Sequence, residues 1–249
     1  MASTTKKAII IGGHGNVALR LAKFLTQASH QTTSLIRKPE HESDIKGVGA
    51  QPLLLSLEDA PTSDFAAAFE GKDVVYFCAG AGGKGGEERT KKVDYEGAVK
   101  VFDAIEQVKE AAKRPRLVLL SAIDSRDPQK FPAHYDEQDK EISKKYRETL
   151  ATFVHWKYEA DKNLVQRTTF KWTILRPGTL KDEPGTGKAT IGRTHLRPGI
   201  PRDDVAKTLA LLIDREAAAG LTIDLVGGET PIEEGLDAFI RKGETDFLG

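Results

Sequence analysis

The stretch Ala8-Ile9-Ile10-Ile11-Gly12-Gly13-His14-Gly15-Asn16-Val17-Ala18 constrains the fold more than any other part of this 249-residue chain. An unbroken apolar run of β-branched residues reads as a buried parallel strand. After the glycines, Leu19-Arg20-Leu21-Ala22-Lys23-Phe24-Leu25 repeats apolar residues at helical spacing. Gly13, Gly15 and Ala18 fit G-x-G-x-x-G/A, and Gly12, Gly15 and Ala18 also fit G-x-x-G-x-x-A. One glycine lets the chain turn sharply off the strand, and a second leaves out the Cβ that would block a pyrophosphate. A small third residue lets the helix pack close to the sheet. The helix then offers its first N–H groups and positive dipole end to phosphates. Strand, turn and helix in this order predict a dinucleotide site built from Gly12, Gly13, His14, Gly15, Asn16 and Val17; an ordinary tight turn is the alternative.

Apolar β-type runs alternate with helical patterns along the rest of the chain. The runs are Ala8–Ile11, Thr32–Ile36, Pro52–Leu55, Val74–Cys78, Leu117–Ser121, Trp172–Leu175 and Leu221–Val226, and helical periods fall at about 16–28, 62–70, 90–112, 138–167, 203–214 and 232–242. Such alternation, with right-handed crossovers, predicts an α/β fold: a Rossmann-type, doubly wound parallel sheet with helices on both faces. No proline- or glycine-rich linker divides the chain, so residues 1–249 read as one domain whose last third adds a small substrate-side lobe.

Ligands in such folds lie beyond the carboxyl ends of the strands. Arg37 and Lys38 follow the second run, where a carboxylate would select NAD and an arginine fork would bind a 2′-phosphate; the position favours NADP, with a solvated loop pair as the alternative. Ala79-Gly80-Ala81-Gly82-Gly83 follows the fourth run and has no side chains to block a ribose or nicotinamide; a plain flexible loop would read the same. Ser121, at the tip of the fifth, can hydrogen-bond a substrate carbonyl or cap the backbone. Pro177 and Gly178 form a rigid turn beside the nicotinamide position, and Arg176 before them reads equally well as the partner of a carboxylate. Tyr158 and Lys162 satisfy Y-x-x-x-K, in which the ammonium lowers the phenol's pKa; the competing register is Phe153 and Lys157. Asp124 to Tyr146 is charged and leads from Ser121 to the lysine helix, as a lid or as a solvated connection.

Composition removes other classes. Formal net charge is zero, so no basic face is implied and nucleic acid is not an expected partner. A single cysteine, Cys78, excludes an internal disulfide, suits a reducing cytosol, and reads as a small buried hydrophobe. Met1 to Lys7 is polar and lacks the apolar core of a signal peptide, and no run reaches the roughly 18 apolar residues of a membrane helix, so a cytoplasmic protein without membrane contact is expected. No Cys, His and carboxylate cluster has metal-ligand spacing, and no metal is expected. Gly185-Thr186-Gly187-Lys188 imitates a phosphate loop, but Ala189 stands where Ser or Thr should be. The chain could be a monomer or a homodimer.

With these residues in hand the chain resembles the atypical short-chain dehydrogenase/reductase proteins, the group allied to NmrA-like proteins and biliverdin-IXβ (flavin) reductase. The resemblance spans nearly the whole chain and rests on the order and spacing of Gly12 to Ala18, Arg37-Lys38-Pro39-Glu40, Phe77 to Gly83, and Val93-Asp94-Tyr95-Glu96-Gly97-Ala98. It continues through Leu120-Ser121-Ala122, Lys157-Tyr158-Glu159-Ala160-Asp161, Thr173 to Gly178 and Arg202-Asp203-Asp204-Val205-Ala206. The family helix reads Y-x-x-A-K-x-x-A-D. Ala160-Asp161 then places the family lysine at Lys157 and the family tyrosine at Phe153, which has no hydroxyl. Tyr158 would point roughly 100° away from Lys157 and cannot substitute. Ser56 stands where relatives often carry an aspartate near the adenine.

The resemblance implies an NADP(H)-dependent oxidoreductase passing hydride to a small carbonyl, quinone or flavin-type acceptor. Lys157 would orient the ribose and Ser121 polarise the acceptor, while Arg37, Lys38, Ala79, Gly80, Pro177 and Gly178 would join the glycine loop in holding NADPH. The alternative is a non-catalytic NADP-binding regulator or redox sensor of the NmrA-like kind, which Phe153 favours. Epimerase or dehydratase action on a nucleotide sugar is weaker, because those relatives need the tyrosine.

Overall fold

The computed structural model describes residues 4–82 and 85–248. Gly83, at the end of the glycine stretch after the fourth run, and Met1 to Ser3 of the polar N-terminus lie outside the described residues. β1 (Lys7–Ile11) turns into α1 (Asn16–Gln27); β2 (Gln31–Ile36), α2 (Glu42–Gly47) and β3 (Gln51–Leu54) follow, then α3 (Thr62–Phe69) and β4 (Val74–Phe77). α4 (Gly86–Thr90) runs through a π-helical turn at Lys91–Glu96 into α5 (Gly97–Glu106), and β5 (Arg116–Leu120) leads to α6 (Glu137–Thr149) and α7 (Ala151–Val165). The last third holds β6 (Trp172–Pro177), β7 (Leu180–Lys181), β8 (Lys188–Ile191), β9 (Ile200–Pro201), α8 (Arg202–Leu211), β10 (Thr222–Pro231) and α9 (Ile232–Lys242).

Eight strands form one sheet in the order β3-β2-β1-β4-β5-β6-β10-β8. Seven pair in parallel and β8 is antiparallel to β10. The strand order reverses between β1 and β4, where the crossovers part to opposite sides and leave a crevice at the carboxyl ends. Alternate residues of each strand feed two cores. Ala8, Ile10, Tyr76 and Val118 pack with α1, α8 and α9; Ile9, Ile11, Val75, Phe77 and Leu117 pack with α3, α5 and α7. α1 buries Val17, Ala18, Leu21, Ala22 and Leu25, one apolar stripe at helical spacing.

The doubly wound sheet is the one expected, with local departures. The pattern at 138–167 is two helices, broken at Leu150 (φ −126°, ψ 26°). The pattern at 90–112 ends at Glu106, and its first turns are π-helical. The run Leu221–Val226 extends to Pro231 as β10 and bends where its pairing with β8 slips between Val226 and Thr230. A Cβ on Gly228 would lie 2.4 Å from the Thr190 nitrogen, so only glycine passes there. α2, β7, β8 and β9 carry no clear period. β7 and β9 pair as a two-stranded sheet over the carboxyl ends of the main strands, the small C-terminal lobe. Among the described residues no helix is long and apolar enough to cross a membrane.

Candidate nucleotide-binding and active site

A crevice of about 470 Å³ opens at the reversal point, lined by Ile11, Gly12, His14, Gly15, Asn16 and, across it, Cys78, Ala79 and Gly80. Gly12 makes the turn off β1 at φ +78°, and a Cβ there would lie 2.7 Å from the Ala79 Cα. Gly13 sits against β2, its N–H donating to the Leu35 carbonyl at 2.8 Å. Gly15 caps α1, whose first turn carries no acidic residue. The turn thus follows the G-x-x-G-x-x-A register. Ala18 is wholly buried, which lets α1 press against the sheet. The amides of the first helical turn have no partners within the helix and meet no carboxylate from its own sequence, so the cradle suits a diphosphate. Val17 is buried behind the loop rather than facing the crevice.

Arg37 stands at the β2 tip, half-exposed, with Nη1 donating to Glu58 at 2.9 Å; Arg89 donates to the same oxygen at 3.1 Å. The two guanidinium groups hold the Glu58 carboxyl below its ordinary range, the Arg89 hydrogen bond contributing most. Lys38 points outward and pairs with Glu40 at 3.1 Å. Ser56 donates to Asp59 at 2.6 Å, so a carboxylate stands next to the position where relatives carry theirs. The Cys78 thiol is pushed up to about 12 by burial, which keeps it an unreactive thiol.

At the far end, Lys157 is buried with its Nζ 3.1 Å from Asp94 Oδ1 and 3.4 Å from the Leu120 carbonyl. Asp94 Oδ2 accepts from the Ala81 N–H at 2.8 Å, and a Cβ on Gly80 would lie 3.2 Å from Oδ1. The ion pair therefore pins the glycine stretch after β4. Phe153 lies one turn before, its ring 5.8 Å from Lys157 Nζ. Lys162 is half-exposed and pairs with Glu159; Tyr158 stacks near Phe247 of the C-terminal tail, 6.5 Å between centroids. Of the two registers, only Phe153 and Lys157 face the strand tips. Ser121 follows β5 with its hydroxyl buried against the Asp161 carboxyl; neither it nor Lys157 lines the crevice. Pro177 ends β6 and accepts from the Ile123 N–H; Gly178 packs against Val226, and neither lines the crevice.

Arg176 is structural: Nε donates to Asp224 at 2.7 Å, Nη1 to the Ser125 carbonyl and Nη2 to the Asp246 carbonyl. Asp124, Ser125 and Arg126 are buried around one another, so the start of the 124–146 segment belongs to the core. The amides of Gly185, Thr186 and Gly187 are taken by Asp203 and Asp204, so carboxylates hold the imitation phosphate loop. The fold does bring Asp136, Asp139 and His195 within 4.8 Å, a grouping the spacing does not reveal. Arg197 donates to both carboxylates there, supplying the cation. Glu58, Arg89, His41 and Asp94 also enter the site. Only Asp94 stood in a motif, and without a role.

The loop, the open cradle and the buried lysine fit a nicotinamide dinucleotide: the glycines leave the space, α1 the amides, and Lys157 the ammonium. The chain shares 40% identity over 243 residues with a UPF0659 protein of Schizosaccharomyces pombe, covering 96% of this chain and 97% of that one. It shares 34% over 231 residues with the uncharacterized sugar epimerase YhfK of Bacillus subtilis, covering 92% and 98%. A solved Bacillus halodurans structure, described as an NAD-dependent epimerase/dehydratase, superposes with a TM-score of 0.77 at 28% identity, covering 94% of this chain and 99% of that one. A family model described as NAD(P)H-binding matches residues 12–216. The chain belongs to this NAD(P)H-binding family, in the atypical short-chain dehydrogenase/reductase group.

Proposed function

We propose that the protein is an NADPH-dependent reductase of a small carbonyl, quinone or flavin-type acceptor. One observation carries the reading: Lys157 and Ser121 converge on the tip of β5, the ammonium 3.4 Å from the carbonyl of the residue before Ser121. The bound nicotinamide would supply the hydride. Lys157, fixed by Asp94, would hold the ribose hydroxyls, and the Ser121 hydroxyl would turn from Asp161 to donate to the acceptor oxygen as charge develops there. Gly12, Gly15 and Asn16 would seat the diphosphate, with Val17 and Gly13 supporting them from behind. Ala79 and Gly80 leave room for the ribose, and Pro177 and Gly178 set the turn beyond it. Arg37 supports NADP over NAD, because its fork stands where a 2′-phosphate would lie and one nitrogen suffices for Glu58. Lys38 would add charge only by turning from Glu40.

Phe153 favours a second reading, a non-catalytic NADP sensor, since among the described residues no phenol pairs with Lys157 to move a proton. The same absence weighs against the sugar epimerase chemistry for which YhfK is named, where a nicotinamide-linked route needs a base to take the hydroxyl proton as hydride leaves its carbon. An acceptor that takes hydride readily needs no phenol.

Titration of the purified protein with NADPH and NADH, followed by a panel of quinones, flavins and aldehydes, tests these readings. Turnover of NADPH with any acceptor supports the reductase; tight NADPH binding with no turnover across the panel favours the sensor. Arg37→Asp should weaken NADPH about 30-fold or more while changing NADH by no more than about threefold, since one charged hydrogen-bonding partner is worth roughly 2–3 kcal/mol. Equal effects on both would contradict the NADP assignment.

A further inference from the structure

Two imidazoles line the β2 end of the crevice, and the proposed hydride transfer gives neither a task. His14 comes from the glycine loop and His41 from the turn Pro39–His41 that follows Arg37 and Lys38. Their rings stack at 3.6 Å with 5° between the planes. Nε2 of His14 lies 2.8 Å from Asp44 Oδ2 on α2. Both rings line the same cavity as Arg37, Glu58 and Arg89. Among the described residues, Nδ1 of His14 and both ring nitrogens of His41 have no hydrogen-bond partner. A built stack of imidazoles with open edges therefore stands beside the position proposed for the ribose phosphate.

The charges around the stack come from every element that meets there. On the turn, Lys38 and Glu40 satisfy each other. At the β2 tip and across the crevice, Arg37 and Arg89 share Glu58. On α2, Asp44 is the carboxylate in contact with a ring. The His41 ring is held below its ordinary value, first by burial and then by the neighbouring His14. Burial and the stacked neighbour disfavour a proton on His41, and an anion at its open edge would favour one.

We propose that the stacked His14–His41 pair, steadied by Asp44, receives the phosphate on the cofactor's adenosine ribose and takes up one proton from solvent when that phosphate docks. The inference rests on the NADP reading. One N–H bond forms on the imidazole pair, and the complex gains one positive charge against the phosphate dianion; NADH offers no such anion and recruits no proton.

Calorimetry of NADPH and NADH binding, in two buffers of different ionisation enthalpy, reads the proton directly. The expected result at pH 7.5 is uptake of about one proton with NADPH and none with NADH. The NADPH Kd should rise by up to about tenfold per pH unit between about pH 6.5 and 8, with NADH flat. His41→Phe keeps a flat ring on the stack but has no N–H; it should weaken NADPH about tenfold, abolish the uptake and leave NADH within about twofold. Retained NADH binding also verifies that the variant is folded. NADPH preference without proton uptake, or a His41→Phe protein that binds NADPH as the native does, overturns this inference alone. NADPH binding no tighter than NADH overturns the NADP reading and this inference with it.

Discussion

Gly12 has no room for a methyl group, because the left-handed turn it makes lies under the backbone of Ala79. Gly12→Ala should cost about 2–4 kcal/mol, from overpacking and from the left-handed conformation together, and should remove cofactor binding in whatever protein remains folded. Urea denaturation and a nucleotide titration check the two effects separately. Lys157 presents the opposite case, a contact in which stability and function are entangled. Lys157→Met leaves the Asp94 carboxylate buried and unpaired, a loss of roughly 3–5 kcal/mol. Adding Asp94→Asn removes that charge while an amide oxygen still accepts from the Ala81 N–H, so the double variant should recover about 2 kcal/mol or more. Lost cofactor affinity should persist in the double variant if the ammonium binds the ribose. Equal stability of the single and double variants would refute the buried-pair account. Gly12 was legible in the sequence because it sits in a local pattern, whereas Lys157 stood apart from Lys162 only through resemblance to the family helix. Glu58, Arg89 and His41 were not legible, because their positions in the crevice come from strand order and turns, and no spacing along the chain encodes that.

Helix α7 carries the other unusual burial. Asp161 is fully buried, and desolvation raises its pKa to about 7 against an ordinary 3.8. Arg176, Ser121 and Lys157 oppose the shift without cancelling it. Between those values the folded chain binds a proton that the unfolded chain has released, so stability falls as pH rises from about 4 to about 7 and is level above. Three units correspond to about 4 kcal/mol. Asp224, raised to about 6 by burial, acts in the same direction on the neighbouring strand. Asp161→Asn should therefore stabilise the protein by a few kcal/mol at pH 8, with the gain shrinking toward pH 4. Denaturation midpoints at the two pH values measure it, and a less stable variant at pH 8 would reverse the sign. The α7 pattern was readable as helical, but its start was not. No glycine or proline separates α6 from α7, and only the backbone at Leu150 marks the break. β8 escaped because four residues with one buried side chain carry too little period to stand out.

Across the whole molecule, the doubly wound parallel sheet followed from the alternation of runs and helical periods and from crossover handedness, while the strand order came from the structure. The closing of the last third did not follow, because it depends on a tail with no period at all. Residues beyond α9 return to the sheet, where Asp246 donates its N–H to the Thr222 carbonyl at 2.9 Å. Its carboxylate accepts from the amides of Asp224, at 3.0 Å, and Arg193, at 3.1 Å. Its carbonyl accepts from Arg176 Nη2. One residue thus ties β10, the segment after β8 and the buried arginine of β6, at the wall of a second cavity of about 350 Å³. That cavity shares no lining residue with the nucleotide crevice. Asp246→Ala keeps the backbone bonds but strands the buried Asp224 amide, at a cost of about 1–3 kcal/mol, with a smaller loss at Arg193. Removal of a partly desolvated carboxylate offsets a fraction of this. The midpoint of thermal unfolding should fall by roughly 4–8 °C for a net loss of about 2 kcal/mol in a chain of this size. NADPH affinity should stay within about twofold, because the sheet's carboxyl-end crevice is built by β1, β2 and β4 on its other half. A variant that loses nucleotide binding while keeping its melting point would mean that the tail reaches the crevice through the C-terminal lobe.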